Sequence, residues 1–343
     1  MKAQLLRQCC DLRQTVEPLD FCEIEIPEPA DGELLLRIRA CGVCHTELDE
    51  IEGRTPPPIF PVILGHQVVA EVAATGKGVA GYNCGERVGV AWIYSACGQC
   101  DFCHRGLENL CPDFLATGRD VNGGYAEYMV ARSDFVHPIP DALSDTQAAP
   151  LLCAGAIGYR SLRLTGLVDG QALGLTGFGG SGHLVLQMVR HCLPNSPVFV
   201  FARSEIQRRF AMELGADWAG TSNARPPEQP DAIIDTTPAW KPVVNALAFL
   251  RPGGRLVINA IRKEERDKEQ LLRLKYEKHL WLEKEIKSAA NVCRTDVGEF
   301  LTLAAEMGID PDVQCYPLSR ANDALRALKE GAFRGAKVLT MGL

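Results

Sequence analysis

Four cysteines, Cys97, Cys100, Cys103 and Cys111, fall within fifteen residues in the spacing C-x2-C-x2-C-x7-C. Gly98 and Gly106 supply tight turns that let four thiols converge. Four thiolates suit a closed tetrahedral zinc, and a [4Fe–4S] cluster takes the same donors. With no coordination position open, zinc here is expected to be structural. A second set of possible ligands is scattered. Cys44 stands in Ala40-Cys41-Gly42-Val43-Cys44-His45-Thr46-Glu47-Leu48-Asp49, beside an imidazole and a hydroxyl. That grouping fits a metal site or a nucleophile, and Cys41-x2-Cys44 alone also fits a redox pair or half a zinc site. His66 follows Gly65, where backbone can crowd an ion. Cys153 lies in Leu152-Cys153-Ala154-Gly155, where a β-rich first half gives way to a different pattern.

The third chemical signature is a glycine turn. Ala172-Leu173-Gly174-Leu175-Thr176 reads as a buried strand, followed at once by Gly177-Phe178-Gly179-Gly180-Ser181-Gly182. His183 to Cys192 then carries apolar residues at helical spacing, and Val198 to Ala202 is a second buried strand. Strand, G-x-G-x-x-G, helix and strand make a dinucleotide-binding unit, with the pyrophosphate on the helix N-terminus. At the end of the second strand, where a carboxylate would accept from the ribose of NAD, stand Ala202, Arg203 and Ser204. Room, a cation and a hydroxyl favour a 2′-phosphate, so the segment favours NADP, with NAD accommodated if Glu205 reaches the ribose instead.

The elements that position these groups follow from the pattern. Phe21 to Ile26 and Glu33 to Ala40 alternate as strands, and Val62 to Val72 re-enters one after Pro56 to Pro61. Leu143 to Gly155 opens a helix. Beyond the glycine turn, a helix is expected from Arg209 to Trp218, a strand from Asp231 to Thr236, a helix from Val243 to Leu250 and a strand from Arg255 to Asn259. Strand ends face the cofactor in a doubly wound sheet, so Thr236, Thr237, Asn259 and Ala260 are candidate contacts. Residues 263 to 287 are dense in charge, with Leu271, Leu272, Leu274, Leu280 and Trp281 hinting at a helix with a solvated face. Cys84, Cys192, Cys293 and Cys315 read as core residues, and Lys337 as a surface lysine unless it reaches the pyrophosphate.

The chain of 343 residues has room for two domains, and its net charge of −7 gives no support for nucleic-acid or membrane-surface binding. No apolar run is long enough to span a bilayer and no signal peptide is seen, so the expected compartment is the cytoplasm. There, 14 cysteines point to metal ligation or free thiols rather than disulfides.

In order and spacing, Gly42–Glu47, Gly65-His66-Gln67, the four-cysteine lobe, Leu152–Gly155 and Gly177–Gly182 together resemble the zinc-containing medium-chain alcohol dehydrogenases. The resemblance spans nearly the whole chain. It implies an α/β protein: a GroES-like β domain (1–153), a Rossmann doubly wound parallel sheet (154–290) and a last segment (291–343) returning to the first domain. It implies two zinc ions per chain, one on Cys44, His66 and Cys153 and one on Cys97, Cys100, Cys103 and Cys111. Thr46 matches the hydroxyl that hands the alcohol proton away, and Glu47 the carboxylate that orients the metal-bound histidine. Ala289 and Asn291 match the segment that holds the nicotinamide amide and pairs subunits, so a homodimer or homotetramer is expected. Three protein ligands leave zinc one position for an alcohol or carbonyl oxygen, and hydride passes to or from nicotinamide.

This sequence departs from the family pattern in three places. Gln67 stands where the family usually has Glu, Asp49 where many members have a relay histidine, and Ala202-Arg203-Ser204 where NAD enzymes carry an acid. Asp49 either accepts the proton through water or the relay ends at Thr46. Alternatives on the same scaffold are a polyol, aryl-alcohol or enal reductase, or a retired binding or structural protein. Zinc counting separates the last, since intact Cys44, His66 and Cys153 call for two ions.

Overall fold

The computed structural model describes residues 1–331 and 335–342. The chain forms two compact units, one of residues 1–156 with 291–343 and one of residues 157–290. The segment 291–343, which includes undescribed residues 332–334 and 343, thus groups with the N-terminal half.

The first unit is built on the strand Glu33–Val43. Its apolar residues alternate inward at Leu34, Leu36 and Ile38, and bulges near Leu36 and Ala40 bend it. The bend lets one strand serve several partners. Its first part pairs antiparallel with Tyr128–Arg132, most of its length pairs with Val68–Thr75, and its end pairs with Ala336–Thr340. Leu34, Leu36, Val68, Val72, Met129 and Leu339 share one core.

The second unit is a six-stranded parallel sheet. Its order is Trp218–Gly220, Val198–Phe201, Leu173–Thr176, Ala232–Asp235, Arg255–Ile258, Glu285–Ser288. The first three run in reverse chain order and the last three in chain order, the doubly wound arrangement expected from the strand and helix pattern. The three strands at the centre, LGLT, VFVF and AIID, are buried throughout, as helices on both faces of a parallel sheet require.

Several elements differ from the sequence expectation. The helix expected from Arg209 to Trp218 runs Glu205–Glu213, because Leu214-Gly215 ends it and Trp218 starts an edge strand. Residues 263–287 form no continuous helix. They hold a 3-10 turn at Lys268–Arg273, a short helix at Tyr276–His279 and the edge strand Glu285–Ser288. Leu282 and Glu283 there adopt left-handed backbone, which breaks helical periodicity. Cys84, Cys192 and Cys315 are exposed, and of the four cysteines read as core only Cys293 is buried. Lys337, expected at the surface, is 1% exposed, and its ammonium donates to Gln314 Oε1 at 2.8 Å.

Candidate metal and cofactor sites

Strand register explains why Cys44 and His66 meet. Cys41 pairs with Val68, and the Gly42 amide donates to the Gln67 carbonyl at 2.9 Å. The residue after one strand and a residue just before its neighbour therefore lie side by side. Gly65 turns at φ +96°, and a Cβ there would sit 2.4 Å from the Tyr125 ring, so only glycine admits His66 at this angle. Cys44 caps the helix His45–Ile51: its sulfur accepts the Thr46 amide at 3.3 Å. Glu47 Oε2 reaches back to accept the Cys44 amide at 2.8 Å, a capping box with a thiol in the place of a hydroxyl. Glu47 Oε1 lies 2.7 Å from His66 Nδ1, and His66 Nε2 lies 3.6 Å from Cys44 Sγ. One buried carboxylate thus contacts both residues.

Cys153 arrives from a widened turn. The helix Asp145–Pro150 opens on a Ser144–Gln147 capping box and closes at a proline, which lacks the N–H for the ladder. The next turn, Leu151–Gly155, is π-helical and carries Cys153. The donor atoms of Cys44, His66 and Cys153 lie within 4.8 Å of one another. A hydrogen bond to Cys153, then burial, then the charge of Glu47 push the Cys44 thiol well up. Burial opposes charge on His66, but Glu47 and Cys44 outweigh it and raise its pKa. Two thiols and a carboxylate-backed imidazole make a costly cluster that a thiophilic cation turns favourable, and three donors at this spread fit zinc with one position left over.

The four-cysteine lobe brings its sulfurs within the same 4.8 Å limit. Cys100 Sγ lies 3.5 Å from Cys103 Sγ, and the Cys97 amide donates to Cys111 Sγ at 3.4 Å. The amides of Gln99 and Cys100 pull the Cys97 thiol down to about 7, whereas desolvation and Cys100 push Cys103 up to about 12. Four thiolates side by side repel unless a cation joins them, so this donor set also fits zinc. Glu108, just before Cys111, accepts the Arg294 amide at 3.1 Å and its guanidinium Nε at 2.7 Å, pinning the lobe to the helix Arg294–Met307.

Other sequence-predicted residues find definite places. Thr46 is half-buried in the first turn after Cys44. Asp49 is buried and bonded by Arg54 Nε at 2.5 Å, so its carboxylate is committed to a structural pair. Gln67 is buried against Gly42. Cys41 is buried and is not one of the three clustered donors.

In the second unit, Gly177 leaves the strand Leu173–Thr176 at φ +81°. The helix begins at Gly180, inside the motif, with Gly179 as its cap, so Gly180 and Ser181 lie in the first turn, where amides lack intrahelical acceptors. Gly182 sits against the Gly177 carbonyl, at 2.8 Å from a would-be Cβ. At the end of the next strand Ala202 is buried, Arg203 exposed and Ser204 the helix cap. Arg208 donates to the Ala202 carbonyl at 2.9 Å and the Arg203 carbonyl at 2.8 Å, a second cation at this turn that sequence reading missed. It lies one helical turn after Ser204, and that spacing was the available signal. Glu205 pairs with Arg209 at 2.5 Å along its own helix. Thr237 donates to Asp235 Oδ1 at 2.8 Å. Ala260 follows the strand Arg255–Ile258, and the Ala289 amide donates to the Ile258 carbonyl at 2.8 Å. Asn291, in the other unit, holds φ +56°, a backbone asparagine tolerates.

Residues 30–141 match the alcohol dehydrogenase GroES-like domain model. The chain is 41% identical over 327 residues to a probable alcohol dehydrogenase, AdhA, of Mycobacterium tuberculosis, covering 94% of this chain and 92% of that one. The chain belongs to the zinc-containing medium-chain alcohol dehydrogenase family. It is also 34% identical over 332 residues to an alcohol dehydrogenase of Geobacillus stearothermophilus, covering 94% of this chain and 96% of the relative. Among solved structures, a cinnamyl alcohol dehydrogenase of Sorghum bicolor superposes with a TM-score of 0.83 at 26% identity, covering 99% of this chain and 97% of that one. The member described here is an oxidoreductase acting on alcohols through this two-part scaffold.

Proposed function

We propose that this family member is a zinc-dependent dehydrogenase of a primary or secondary alcohol, working in reverse on the aldehyde or ketone, with NADP preferred over NAD. The observation that carries the reading is the convergence of Cys44, His66 and Cys153, with Glu47 backing the imidazole. A zinc ion held by these three would supply Lewis acidity to the substrate oxygen, and a bound nicotinamide would accept or donate the hydride. The chain's own residues do the rest. Glu47 fixes the His66 tautomer, leaving Nε2 as the ligand atom. The Thr46 hydroxyl takes the alcohol proton and passes it to solvent, since Asp49 is held by Arg54. The first-turn amides after Gly179 receive the pyrophosphate, and Arg203 with Ser204 receives the 2′-phosphate. The Glu205–Arg209 pair supports NADP by keeping the nearest carboxylate on its own helix.

The four-cysteine lobe would hold a second, structural zinc. A homo-oligomer fits the edge strand Glu285–Ser288, exposed along its whole length. No helix among the described residues is long and apolar enough to cross a membrane. Nicotinamide absorbance with a panel of alcohols and aldehydes, run with NADP(H) and NAD(H), tests the function alongside zinc analysis. Turnover with two zinc ions per chain is expected. One zinc and no turnover on any substrate would return the chain to the reading of a retired scaffold.

A further inference from the structure

The loop after the strand Arg255–Ile258 belongs to the charge-dense segment read as solvated, yet the Lys263 side chain is only 9% exposed. Its ammonium donates to Asp235 Oδ2, to the Thr237 carbonyl at 2.6 Å and to the Ala239 carbonyl at 3.3 Å. Those three bonds use all its donors. Asp235 is fully buried, and its other oxygen accepts from the hydroxyls of Thr176 and Thr237. The partners come from three adjacent strands. Thr176 ends Leu173–Thr176, Asp235 ends Ala232–Asp235, and Lys263 follows Arg255–Ile258. The Glu264 amide adds a bond to the Pro238 carbonyl at 2.7 Å. A Cβ on Gly177 would meet Thr236 Oγ1 at 2.6 Å and Thr237 Cγ2 at 3.1 Å, so the glycine turn rests on the residues this pair holds.

The pair therefore ties three loops together at the carboxyl edge of the sheet, the edge where doubly wound folds bind ligands. Stability alone is a weak reason to bury an ion pair, because apolar side chains of like volume hold strands as well. What an ammonium adds is direction: it sets the Thr237 and Ala239 carbonyls in one conformation. Residues 236–239 and Ala260 would otherwise have to order themselves when the nucleotide arrives.

We propose that Lys263 and Asp235 are positioning residues for the dinucleotide, holding the glycine turn, the 236–239 turn and Ala260 in the arrangement that receives it. This rests on the reading that residues 157–290 bind NADP or NAD. Both side chains have their bonding committed within the protein and act through the loops they hold.

The test is the double variant D235L/K263M in the full-length, zinc-loaded protein, which removes both charges and leaves neither unpaired. NADPH and NADH binding is followed by nicotinamide fluorescence, alongside steady-state kinetics, zinc content and thermal melting. Expected are a wild-type zinc content and a single cooperative melt, lowered because the Thr176 and Thr237 hydroxyls lose their acceptor but still well above the assay temperature. Cofactor Kd and KM should rise by about tenfold or more, with kcat at saturating cofactor changed far less. Wild-type affinity in a folded double variant would show the pair to be structural only and overturn the proposal. Should the double variant not fold, D235N is read by the same titration: weakened binding supports positioning and unchanged binding overturns it. Wild-type protein that binds neither nucleotide would instead overturn the dinucleotide reading itself, and this proposal with it.

Discussion

Glu47 does two jobs with two oxygens: one accepts the Cys44 amide and the other faces His66 Nδ1. Replacing it with glutamine keeps an acceptor for the amide but removes the charge behind the imidazole. Metal affinity is expected to fall roughly 10-fold to 100-fold. Competition with a chromophoric chelator measures this, and the four-cysteine site should be unaffected. His137 makes a different residue-level prediction. Burial, then Arg294, hold its pKa down at about 4. The unfolded chain binds that proton at about 6.5, so between these values it is the unfolded state that protonates first. Stability from this group is complete above pH 6.5 and is lost as pH falls through 4, amounting to about 3 kcal/mol at most. Urea melts at pH 7.5 and 4.5 should show a smaller acid loss in H137Q than in wild type.

At the scale of elements, the strand–turn–helix around Gly177 is the sensitive joint. In G177A a methyl group meets Thr236 Oγ1 at 2.6 Å while the backbone stays at φ +81°. The expected cost is about 1–3 kcal/mol of strain, with a raised cofactor KM and unchanged zinc content. Thermal melts against G179A, whose added Cβ meets nothing within 4 Å, isolate the effect. The π-helical turn Leu151–Gly155 carries Cys153 to the other two donors. Pro150 has no N–H to give the Thr146 carbonyl, so an irregularity at this point was legible in the sequence, but the π-helical turn that follows and the way it aims Cys153 were not.

For the whole molecule, metal loss should come in two stages. A mild chelator is expected to strip the three-ligand site first, abolishing turnover while circular dichroism stays native. Loss from the four-thiolate lobe should follow and lower the melting temperature, because that lobe anchors Arg294. Association belongs to this scale too. The edge strand Glu285–Ser288 is exposed along its length, with Trp281, Leu282 and Ile286 uncovered beside or on it. A native mass that is a multiple of 37.4 kDa is expected, falling towards a single chain in I286K, as light scattering would show. The sequence alone singled out the thiol and imidazole groups that the fold brings together, the glycine turn and the doubly wound sheet, because residue type, glycine and buried apolar runs are local properties. It misjudged the buried Lys263 and Lys337, the exposed Cys84, Cys192 and Cys315, and the broken segment 263–287. Whether a charge is solvated or clasped, and which carboxylate stands behind which ligand, depends on neighbours far away in the chain. Asp235 becomes the partner of Lys263 only when parallel strands lie in register, and Glu47 comes to stand behind His66 only because Gly42 and Gln67 meet across two antiparallel strands.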